Sequence, residues 1–99
     1  MLGIIVNTAR HARHLAGITL AARAKGHDVD IFLTDAGTLL LNDPAVRQLA
    51  LLQGVQMSFC LHSAGNHGVA VEGIGPEITA GSQLNNAILN HHADRVIVL

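Results

Sequence analysis

GVQMSFCLHSAGNHG, running from Gly54 to Gly68, changes character halfway along. Its first part alternates Val55, Met57 and Phe59 with Gln56 and Ser58, and ends in Cys60, the one cysteine of the chain. Its second part is small and polar, with Ser63, Ala64, Gly65 and Asn66 between His62 and His67. A short, mostly apolar run that starts after a glycine reads as a strand over Val55 to Cys60, and a helical turn over Leu61 to Asn66 follows it. The thiol therefore stands where a strand hands over to a loop or helix. It is either the last plug of a core, since free cysteine is among the most buried residue types, or a group placed for surface chemistry.

Upstream of this stretch, Asp43–Pro44 marks a helix start, a capping side chain followed by proline at the first helical position. That helix carries Val46, Leu49, Ala50 and Leu52 to a glycine stop at Gly54. Before it, VDIFLT (Val29 to Thr34) reads as a strand, Asp35–Ala36–Gly37 as a turn, and Thr38 to Leu41 as a brief helical segment. The segment Ala9 to Lys25 places Leu15, Ile18 and Ala22 on one helical face, with Arg10, Arg13 and Arg23 largely off it. Asn7 or Thr8 is the expected cap, and Gly26 the expected stop. LGIIV (Leu2 to Val6) opens the chain as a buried strand.

Downstream, Gly73, Gly75 and Pro76 interrupt Val69 to Glu77, which reads as a loop with room for one short strand. A helix around Ser82 to His91 sets Leu84, Ile88 and His91 on one face, and Val96 to Leu99 is a final apolar strand. Strands alternating with helices predict an α/β domain over residues 1–99, a mostly parallel sheet of four to five strands with helices on both faces. Sites in such sheets form at the carboxyl ends of the strands, where Cys60, Asp35 and Asn7 all fall.

Composition narrows the function classes. Six Lys/Arg against seven Asp/Glu leave no basic footprint for nucleic acid. No apolar run approaches the ~20 residues of a membrane-spanning helix. A single cysteine cannot close an internal disulfide, which suits a reducing cytoplasm and rules out thioredoxin-like redox cycling within one chain. The core must be aliphatic, because Phe32 and Phe59 are the only aromatics besides histidine. With 13% charged residues, apolar surface should remain, and a homo-oligomer would cover it.

If a helix begins at Leu61, its free N–H groups favour thiolate at Cys60, and His62 or His67 could add charge or move a proton. Seven histidines raise the question of metal, with His11 and His14 three apart, Cys60 and His62 two apart, and His91 and His92 adjacent. No complete three- or four-ligand spacing appears, so no metal or other cofactor is assigned. Asp35 has neither an acidic pair after the first strand nor a lysine near the last strand, as a phospho-acceptor site would need. Asn7 to Arg10 lacks the glycines of a phosphate loop.

An ordered set of residues resembles the DsrE/DsrF-like family, the group that includes the sulfur-relay TusBCD and DsrEFH subunits. The set comprises Ala24–Lys25–Gly26–His27 before the second strand, Gly54–Val55 before the third, Cys60 at its end with Gly68 eight residues on, and Ala93–Asp94–Arg95–Val96–Ile97 leading into the last strand. The resemblance implies a flavodoxin-like three-layer α/β/α fold and assembly into trimers or hexamers. It also implies a carrier role for Cys60, which would hold sulfur as a persulfide between donor and acceptor proteins. Relatives often have arginine before the glycine; here the position is His67. On this reading His62, Asn66 and His67 are the candidates for tuning Cys60. The alternative is a non-catalytic oligomeric module that binds a small ligand or metal, with Cys60 in a structural role.

Overall fold

The computed structural model describes residues 1–99. Five strands, β1 (Leu2–Val6), β2 (Val29–Leu33), β3 (Val55–Cys60), β4 (Ile78–Gly81) and β5 (Arg95–Val98), form one sheet in the order β4-β3-β2-β1-β5. Every neighbouring pair is parallel. Four helices connect or follow them: α1 (Ala12–Ala24), α2 (Pro44–Leu49), α3 (Leu61–Asn66) and α4 (Gln83–His92). A 3-10 segment, Asp35–Asn42, links β2 to α2. The architecture is the α/β class read from the alternation of elements, with β4 at Ile78–Gly81, past the Val69 to Glu77 stretch in which the sequence left room for one short strand.

The register lines up one apolar row across the sheet, Ile97–Ile4–Ile31–Met57–Ile78. Successive side chains of a strand point to opposite faces, so this row and its neighbours at Val6, Leu33 and Phe59 all face the same way. Leu15 of α1, Leu40 and Leu41 of the 3-10 segment, Val46 and Leu49 of α2 and Ala64 of α3 pack onto them, making a core of 17 buried residues. Gly37 is needed where the 3-10 segment crosses β1, because a Cβ there would overlap the Val6 carbonyl oxygen.

The other face holds only α4. Its buried cluster has four members, Ile5, Phe32, Cys60 and Leu89, with Ala93 partly buried beside them. α4 lies directly on β1, because Gly3 leaves room for Leu89 where a Cβ would collide with it. The middle row on this face runs Val98–Ile5–Phe32–Ser58–Thr79, apolar toward β5 and polar toward β4.

Three local expectations are corrected. α1 begins at Ala12 rather than Ala9, and its N-cap is His11 with no side-chain cap. The cause is long-range: the Asn7 and Thr8 N–H groups both donate to the Leu99 carbonyl, which holds that stretch along β5 instead of over a helix end. α2 ends at Leu49, and turns carry the chain on to Gly54, whose positive φ of 81° the sequence had marked as a stop. On α4, Leu84, Ile88 and His91 face solvent, and Leu89 is the residue that meets the sheet. The Asp43 cap stands, its carboxylate accepting from the Ala45 N–H at 2.9 Å.

Candidate functional site

β3 and β4 are neighbours whose exits diverge: β3 runs into α3 on the well-covered face, β4 through Ser82 into α4 on the other. Between two such exits a parallel sheet opens a crevice at its carboxyl edge. Cys60 and Gly81 are paired across that edge, so the thiol lies at the topological switch point.

Cys60 is the N-cap of α3, and its Sγ accepts the Ser63 N–H at 3.5 Å. Its side chain points to the α4 side, packs with Ile5, Phe32 and Leu89, and is 4% exposed. Burial alone pushes the thiol pKa up. Hydrogen bonds from the Ser63 hydroxyl and N–H, the Gln83 side chain and the His62 backbone outweigh it, so the net shift is downward. The donors are neutral, and no cation takes part.

Two further polar side chains lie at this edge. Gln83 Nε2, from the first residue of α4, donates to Thr34 Oγ1 at 2.9 Å. Thr34, just past the end of β2, has its hydroxyl 3.4 Å from Ser63 Oγ. Thr34 was not singled out, although its place at the end of the second predicted strand was the signal that could have found it. Ser63 was not singled out either; it stands three residues after Cys60, which the structure shows to be the N-cap of α3. Gln83 carried no signal, because it reaches Cys60 only through β4.

Among the residues proposed to tune Cys60, His62 comes close through its backbone, and its ring is exposed. Asn66 is exposed at the last residue of α3. The His67 ring is held by Asp35, Nε2 to Oδ1 at 2.9 Å. Asp35 takes a left-handed φ of 49°, a conformation aspartate tolerates better than most residues, and its carbonyl accepts from Thr38 Oγ1 at 2.7 Å. The His11–His14 and His91–His92 rings each pack edge to face, centroids 5.6 and 5.1 Å apart. No three His, Cys, Asp or Glu side chains converge as a metal site. Farther down the same face, Asp30, Gln56, Ser58, Glu77, Thr79 and Asn85 help line a groove of about 400 Å³ beside α4.

The profile of the DsrE/DsrF-like family matches residues 2–99. The chain belongs to the DsrE/DsrF-like family. Solved structures agree on the fold. The ychN protein from E. coli superposes with a TM-score of 0.82 at 16% identity, covering 99% of this chain and 97% of its own. A conserved protein of unknown function from Bacteroides thetaiotaomicron, BT1422, superposes with a TM-score of 0.68 at 23% identity, covering 99% and 94%. No curated protein matches the sequence. Membership of the DsrE/DsrF-like family points to a sulfur-relay-related role. No helix is long and apolar enough to cross a membrane.

Proposed function

We propose that this DsrE/DsrF-like protein is a sulfur carrier in which Cys60 holds sulfane sulfur as a persulfide. The observation that carries the reading is the thiol itself: at the carboxyl end of β3, capping α3 and accepting the Ser63 N–H at 3.5 Å, with its pKa drawn down despite burial. In the first step the Cys60 thiolate attacks the outer sulfur of a donor persulfide. The new Cys60 S–S bond forms as the donor's S–S bond breaks, and the donor leaves as thiolate. In the second step an acceptor thiolate attacks the outer sulfur and Cys60 leaves as thiolate, so no external oxidant or reductant is consumed. Within this scheme His62 acts through its backbone N–H, while Asn66 and the Asp35-held His67 act at longer range.

The scheme suits a homo-oligomer in the cytoplasm, where thiols stay reduced. The thinly covered face supplies the contact surface, because Leu84 is 66%, Ile88 47% and Val98 60% exposed there. The trimer or hexamer that the family resemblance implies would bury them.

The test is intact mass of native protein after exposure to inorganic polysulfide, beside Cys60→Ser. A gain of about 32 Da, one sulfur, on the wild type alone supports the carrier. A folded wild type that stays unmodified overturns it.

The second reading is a non-catalytic oligomeric module for a small ligand or metal. It rests on the packing of Cys60 against Ile5, Phe32 and Leu89, as a structural cysteine would pack. A metal version needs ligands from two subunits, since one chain gathers no three.

A further inference from the structure

The thin face carries a second polar region, toward the amino ends of the strands and away from Cys60. Asp30 on β2 pairs with Gln56 on β3. Met57 pairs with Ile78, so Glu77, one residue before β4, stands level with Gln56. All three line the groove of about 400 Å³ beside α4. Neighbouring strands lie about 4.8 Å apart, which sets the backbones of Asp30 and Glu77 roughly 10 Å apart across Gln56.

The next row on this face supplies a hydroxyl. Ser58 lies between Phe32 and Thr79, is 8% exposed, and lines the same groove. Its Oγ makes no hydrogen bond within the protein. Polar side-chain atoms this deeply buried ordinarily have a partner. Ser58 instead turns its unused hydroxyl to the hollow.

The free charges along the groove have one sign. A hollow of about 450 Å³ continues it, sharing Asp30, Val55 and Gln56, and is bordered by Asp28 and the Met1 amino group. Those two are already answered, Asp28 by Arg23 at 3.1 Å and the amino group by Asp94. Asp30 and Glu77 have no ion pair, and no Lys, Arg or His lines the groove between them. A half-buried carboxylate without a counter-charge is costly, and burial raises the Asp30 pKa accordingly. The Glu77 carboxylate lies against Gly75, where a Cβ would collide with it.

What is missing here is a cation with several hydrogen-bond donors. A metal ion fits poorly, because no three His, Cys, Asp or Glu side chains converge. A space of this size suits a small organic molecule. An alkylammonium brings three N–H donors, and Ile88 of α4 offers an apolar bank for its methylenes.

We propose that this groove binds a linear aliphatic diamine, one ammonium held by Asp30 and Ser58 and the other by Glu77, with the chain lying across Gln56. The site is independent of the carrier reading, since Cys60 does not line it.

The experiment is calorimetric titration of the full-length protein with putrescine at neutral pH and low salt. The wild type is expected to bind it saturably, one molecule per chain. Asp30→Asn should weaken binding at least about tenfold, the loss of one hydrogen bond between charged groups. Its fold is not at risk, because the change removes an unpaired, half-buried carboxylate. Glu77→Gln should weaken binding by a similar factor, and Ser58→Ala several-fold, with urea unfolding confirming that both remain folded. The diol of the same length should give no saturable heat.

No saturable binding by the wild type overturns the proposal, as does equal affinity in Asp30→Asn or a diol that matches the diamine. Inert putrescine together with an oligomeric state that changes in Asp30→Asn, read by size exclusion, would assign the cation to a neighbouring subunit and overturn the diamine site.

Discussion

The two faces of the sheet do different work. One is sealed by α1, the 3-10 segment, α2 and α3 over 17 buried residues, and Cys60 is not among them. The other carries a single ten-residue helix over four buried residues, one of them Cys60. The thick face holds the fold together. On the proposed carrier reading the thin one suits Cys60, because a group that exchanges sulfur needs a cover that moves at modest cost. The polar end of the row on the thin face grades outward: Ser58 on β3 is still buried, and Thr79 on the edge strand β4 is exposed.

Matched truncations test this division most strongly. Leu15→Ala opens a cavity under α1 and should cost about 3–4 kcal/mol, while Leu89→Ala, beside a face already open to solvent, should cost about 2–3 kcal/mol. Urea midpoints check both. The informative readout is native-state alkylation of Cys60, which should quicken several-fold in Leu89→Ala and stay unchanged in Leu15→Ala. Equal acceleration in both would erase the distinction between the faces.

Helix caps sharpen it at lower energy. Ser82 caps α4 in a reciprocal box with Asn85, and Asp43 caps α2. Replacing either with alanine should cost about 1 kcal/mol. Only Ser82→Ala should also raise the pH at which Cys60 alkylates, because it loosens the helix that presents Gln83.

The smallest effect concerns Asp30 on the thin face, whose carboxyl pKa is pushed up by burial and which has no ion pair. A raised carboxyl binds its proton more tightly folded than unfolded. It therefore contributes stability below the ordinary carboxylate range and loses it as pH rises through the folded value. Asp30→Asn should accordingly stabilise at pH 7 by less than about 1 kcal/mol, with the gain disappearing near pH 3. Urea unfolding at the two pH values measures it.

The division also marks what could be read from the residues alone. β1, β2 and β3 were legible because buried parallel strands are short aliphatic runs, and Asp43–Pro44 was legible because a cap acts locally. β4 was not: ITAG is an edge strand in which only Ile78 is buried, and glycine and proline precede it. The start of α1 depended on Leu99, at the far end of the chain, so no local window could place it. On α4 the apolar stripe Leu84–Ile88 resembled a core face but proved to be the exposed one. Of the site, Cys60 was visible as a strand-end thiol. Its partners Thr34 and Gln83 were not singled out, because their meeting depends on the strand order and on the missed β4.

The pairing of β1 with β5 bears on how the chain reaches this state. It is closed by Met1 and Asp94, 93 residues apart, through an ion pair and a backbone bond. Contacts so distant along the chain bear the largest loop-closure entropy and tend to form late. α4 is the connector that delivers β5, so the cover over Cys60 is seated at about the same moment. In a refolding time course, pulse alkylation should find the thiol open after the α1 side has already consolidated. The cysteine is thus most vulnerable to the wrong oxidant during folding, before its cover is in place.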